Sequence, residues 1–189
     1  MDLSFDNLTS ERESGMLPVE LLEGFEKKMA RIHKRFPCPI EIAKLPNSYK
    51  NIISLFLRDK MKIIFNEALY KDAPEIEVMA ALFHEIRHAY QYDVVVHNRR
   101  DREKPETIEQ WRKDFDQYQQ PLTSSSLDSG PKYRDADYLF YHIEVDAISY
   151  ADLNIFQIYK THLQIPEALK HMVKIRQEQI KNRNDIIKM

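Results

Sequence analysis

His84-Glu85-Ile86-Arg87-His88 sets two imidazoles four residues apart, with a carboxylate beside the first. On a helix, residues i and i+4 share a face one turn apart. Two ring nitrogens placed that way can reach one metal ion. The neighbouring glutamate can then accept a proton from water held at the metal. Seven His and sixteen Glu in 189 residues give about 0.02 chance occurrences of this pattern. The competing reading is a pair of core histidines satisfied by hydrogen bonds.

A catalytic zinc takes three protein ligands and keeps one position open. The third donor must come from another segment. Tyr141-His142-Ile143-Glu144-Val145-Asp146-Ala147 supplies the best one. On a helix, Glu144 shares its face with Ala147, Ile148 and Ala151, so a lone carboxylate stands on an apolar stripe with small residues that permit close helix approach. His142 and Asp146 are the alternatives. Two His and a carboxylate also suit non-haem Fe(II), but both histidines on one helix favour zinc. Oxyanion donors are sought near Glu144: Tyr138, Tyr141 and His142, with Tyr141 first because it precedes Glu144 by one turn. Gln91, one turn past His88, is a contact to substrate or an orienter of a ligand. Arg87, on another face, is assigned to a structural ion pair.

These residues need elements to hold them. Pro74 to Asp93 reads as a helix that is apolar nearly all round, hence central and buried. Asp135 to His162 reads as a long helix carrying Glu144. A first helix, Pro18 to Phe36, has Leu22, Phe25, Met29, Ile32 and Phe36 on one stripe. Ile53–Leu57 and Met61–Phe65 flank Arg58-Asp59-Lys60 as a hairpin, and Glu41–Leu45 is a further short strand. Glu106 to Gln119 and a segment opened by Pro166 are helices. His97–Lys104 reads as a solvated loop, and Pro121–Tyr133 as a surface loop with a lid as the alternative. The expected fold is α+β and predominantly helical, with a small antiparallel sheet packed on the two site helices. Residues 1–15 read as a flexible arm and 16–189 as one domain.

Composition sets the bounds. Lys+Arg is 28 and Asp+Glu 30, for a net charge of −2, which gives nucleic acid or an anionic membrane no electrostatic hold. Three Gly in 189 residues disfavour a turn-rich all-β fold. Cys38 is the only cysteine, so no internal disulfide or Cys-based zinc site is available. The polar, acidic start is unlike a secretory signal, and no apolar run approaches the ~20 residues of a membrane helix. A cytoplasmic protein is expected, with no membrane partner. Oligomeric state is not encoded in any motif.

HEIRHAYQY with EVDAISYA downstream resembles the gluzincin metallopeptidases, most of all the minimal ones with an HExxH helix and an ExxA helix, a group that includes the ImmA/IrrE-like proteases. The resemblance spans Lys62 to about Ala151. It implies a zincin-like fold and a Zn2+ site of His84, His88 and Glu144. It also implies Glu85 as general base, a protein or peptide substrate, and Met61–Phe65 as an edge strand that pairs with it. The chain departs from the larger gluzincins at Ile148, where they carry an acidic residue, and no DNA-binding segment is legible. The activity so implied is hydrolysis of peptide bonds. The alternative is a catalytically silent zinc protein of the same fold that binds a partner.

Overall fold

The computed structural model describes residues 16–117, 139–183 and 186. The chain is α+β and mostly helical. Helix α1 (Val19–His33) is followed by strands β1 (Ile40–Ala43), β2 (Ser54–Leu57) and β3 (Lys62–Asn66). Then come a single turn α2 (Glu67–Tyr70) and helices α3 (Glu75–Val96), α4 (Pro105–Gln117), α5 (His142–Tyr159) and α6 (Glu167–Lys181). No helix among the described residues is long and apolar enough to cross a membrane. The expected N-terminal arm, the Pro121–Tyr133 loop and Tyr138 lie outside the described residues.

The sheet is mixed rather than antiparallel. Its order is β1-β3-β2, with β1 parallel and β2 antiparallel to β3. The expected hairpin is present: Arg58–Lys60 form a 3-10 turn, and Leu57 pairs with Lys62. Met61, placed in the strand by sequence, takes φ 46° and closes the turn instead. The strand expected at the edge is therefore the central one, and β2 is a free edge. The parallel β1–β3 pairing puts β3 between two partners, a long-range choice that hairpin logic cannot see.

Alternation across the strands divides two cores. Ile63, Phe65 and Phe56 enter the main core with Leu22, Phe25, Met29, Leu82, Phe83 and Ile86. Leu55, Leu57 and Ile64 face the other way, onto Leu45 and Tyr49. Ser54 therefore shares the Phe56 face and points at α3.

Helix α1 buries Leu22, Phe25 and Met29 as the stripe requires, but ends at His33. Lys34 turns left-handed at φ 51°, and Phe36 leaves the stripe, 90% exposed. The helix therefore stops at the left-handed turn of Lys34, before Pro37 and Pro39 are reached, rather than at the prolines. The helix expected from Asp135 begins at His142. Its close partner is α3, and Ala147 and Ala151 are buried between apolar neighbours there. Helix α4 buries Ile108, Trp111 and Phe115, and α6 covers α5 with Leu169 and Val173.

A candidate metal centre between two helices

Helix α3 is started by Pro74, with Glu75 and Glu77 in its first turn, where carboxylates favour the positive end of the helix dipole. It is long enough to carry His84 and His88 at its middle. Their rings stand 4.6 Å apart at 83°, and the two Nε2 atoms approach to 2.9 Å. Glu144 comes from the first turn of α5, again at a positive helix end. That helix start is fixed from outside: Asp114 of α4, held by the Gln110 amide, accepts the Ile143 backbone N–H at 3.1 Å.

Glu144 Oε2 lies 3.3 Å from His84 Nε2, and Oε1 lies 3.4 Å from His88 Nε2. The three ligand-type groups fall within 4.8 Å of one another, and form a metal-capable cluster among the described residues. Donors held about 2.0–2.1 Å from a tetrahedral zinc stand roughly 3.3 Å apart. The two His–Glu separations, each to a different Glu144 oxygen, lie near that spacing, and the 2.9 Å between the two Nε2 atoms is shorter, so the cluster is one that could hold a metal ion. Burial alone would lower the His88 pKa, but the Glu144 carboxylate overrides it, aided by Glu85 and Gln91, and holds it at about 9. Burial likewise opposes ionisation of Glu144, and His88 and His84 still keep it well below the usual carboxylate range.

Glu85 is buried, and its Oε1 accepts a hydrogen bond from Ser54 Oγ at 2.9 Å. His84, Glu85 and Ser54 line one cleft of about 710 Å³. Its walls are largely apolar: Ile53, Ala80, Ala81, Ile148 and Ala151. Among the alternative ligands, His142 is 59% exposed at the side chain and sits 3.7 Å from Asp114, away from the cluster. Asp146 turns instead to Arg87, Gln91 and Arg176. Tyr141 precedes α5 in an extended conformation, so the shared helical face that nominated it does not exist. It packs with the Tyr90–Trp111 cluster.

Beneath the site lies a buried charge network. Arg87 donates from Nε to Asp146 Oδ2 at 2.7 Å and from Nη2 to Oδ1 at 3.0 Å. Its guanidinium stands 4.3 Å from the Tyr90 ring centroid. Arg176 of α6 donates to Asp146 at 2.6 Å and to Glu103 at 3.2 Å, and Arg183 also pairs with Glu103. Glu103 is 3% exposed, although its stretch reads as solvated loop. Arg87, Arg176 and Arg183 are distant in sequence, and no local pattern shows that they converge on one carboxylate. Ser54 and Asp114 likewise carry no local signal, because their partners lie on other elements.

Comparison with protein-family models, with curated proteins and with solved structures returned no match.

Proposed function

We propose that this chain is a zinc-dependent metallopeptidase with zincin-like packing of α3 against α5. His84, His88 and Glu144 hold the ion and Glu85 is the general base. One observation carries the reading: two imidazoles of α3 and a carboxylate of α5 place ligand atoms within 4.8 Å of one another, and Glu85 lines one cleft with His84. Zinc, when bound, supplies a Lewis acid that lowers the pKa of water towards neutrality and polarises a carbonyl.

The chain's own residues supply the rest. Glu85 takes a proton from the attacking water and returns it to the leaving amine. Ser54 restrains one Glu85 oxygen and leaves the other for that proton. The cleft admits an extended stretch of a protein or peptide. Strand β2, whose Ser54 reaches Glu85, is an edge strand of the sheet among the described residues and is the one proposed to pair with it, rather than Met61–Phe65.

The test begins with metal content of untagged, chelator-free protein, alongside His84→Ala. About one zinc per chain, lost in the variant, supports the site. Glu144→Ala should lose zinc as well. Glu85→Gln should keep zinc and cut hydrolysis of an unfolded protein such as denatured casein by about 10²–10⁴. Parent protein that holds zinc without cleaving favours the silent zinc-binding alternative. Parent protein that takes up no zinc sinks the proposal.

A further inference from the structure

His88 Nδ1 lies 2.8 Å from the side-chain oxygen of Gln91. The Gln91 amide nitrogen lies 2.8 Å from the Ile143 carbonyl and 2.6 Å from Asp146 Oδ2. A backbone carbonyl and an ionised carboxylate accept and never donate. Turning the amide over would aim its oxygen at both and leave three acceptors face to face. The nitrogen must therefore face Asp146, and the oxygen must face His88. An amide oxygen only accepts, so the His88 Nδ1 must carry a proton. The neutral ring then presents its lone pair at Nε2, the atom aimed at His84 and Glu144.

What keeps Asp146 a pure acceptor is its setting. Four hydrogen bonds reach its two oxygens: two from Arg87, one from Arg176 and one from Gln91. The carboxylate is saturated, so it cannot take a proton that would let Gln91 turn.

We infer that Gln91 is a positioning residue that fixes His88 with its proton on Nδ1 and its lone pair on Nε2, and that Asp146, clamped by Arg87 and by Arg176 of the last helix, sets which way Gln91 faces. The chain reaches the metal-facing histidine with a carboxamide inserted between carboxylate and imidazole. Because Arg176 belongs to α6, an element remote in sequence takes part in orienting a residue of the HExxH helix. The consequence for metal binding rests on the zinc reading above; the proton's position does not.

The experiment is 15N NMR of the imidazoles in the full chain, with and without added zinc. The parent should show His88 protonated at Nδ1, with zinc shifting Nε2. Gln91→Met keeps the bulk and removes the acceptor. It should bind zinc about 10–100-fold more weakly, with a parent-like circular dichroism spectrum and the Nδ1 proton no longer fixed. A parent spectrum with the neutral-ring proton on Nε2, or a Gln91→Met variant that matches the parent in zinc affinity, overturns the inference. If Gln91→Met does not fold, the parent spectrum alone decides. If the parent takes no zinc, the peptidase reading falls, and the metal-free spectrum, followed across pH until the ring is neutral, still supports or overturns the assignment.

Discussion

Replacing Arg87 by Met tests whether the network under the site holds the fold together. Arg87 is fully buried, and its guanidinium makes two charge-assisted hydrogen bonds to Asp146 at 2.7 and 3.0 Å. Each such bond contributes about 1.5–3 kcal/mol. Asp146 would keep Arg176 and Gln91 at 2.6 Å each, so its charge is not left wholly alone. Methionine would fill part of the space over Tyr90. The expected loss is about 3–5 kcal/mol, the range for breaking a buried ion pair by removing one partner. In a chain of this length each kcal/mol shifts Tm by roughly 2–4 °C, so Tm should fall by about 6–20 °C. Thermal and urea unfolding of parent and variant, followed by far-UV circular dichroism at neutral pH, measures it. A cycle with Asp146→Asn should add a coupling energy of at least ~1 kcal/mol. A loss below ~1 kcal/mol, the range of exposed pairs, would refute the reasoning.

Zinc affinity should rise with pH. The folded His88 pKa is raised to about 9 from an ordinary value of roughly 6.5. Its proton therefore stabilises the metal-free fold below pH ~6.5, and that stabilisation is lost as pH climbs through about 9. Zinc competes with that proton, so competition with a chromophoric chelator should show affinity increasing to about pH 9 and levelling above it; a flat profile contradicts this. Burial, partly offset by Arg35, pushes the Cys38 thiol from 9.0 to about 12. Three units make the native thiolate about a thousandfold scarcer, so a disulfide reagent at pH 8 should label Cys38 only on unfolding, and fast native labelling would count against the structure. Phe36→Ser should change stability by less than ~0.5 kcal/mol, whereas Met29→Ala should cost about 2–5 kcal/mol, read from urea midpoints. Equal costs would return Phe36 to the buried stripe of α1.

Local pattern determined a good deal of this protein. The 3.6-residue apolar period located α1, because an amphipathic helix writes its buried face into the spacing of its own residues, and an all-round apolar run located the central α3. The hairpin was legible from two β-branched runs around Arg58-Asp59-Lys60, and the metal-type pairing of His84 and His88 from a four-residue step on one helix. Glu144 was nominated as a lone carboxylate on an apolar helical face, and the fold brings it to the two histidines. Tertiary structure decided what depends on partners far along the chain. It made β3 central, because β1 returns to pair with it in parallel. It exposed Phe36, because the chain turns at Lys34 before the periodic stripe is complete. It buried Glu103 beneath three arginines, although its own neighbourhood is the most charged stretch of the sequence. It also placed Asp146 so that Gln91 faces His88 in one orientation. A buried charge or a fixed amide is stable only once its partners have arrived, and those partners stand as far apart in the chain as Glu103 and Arg183.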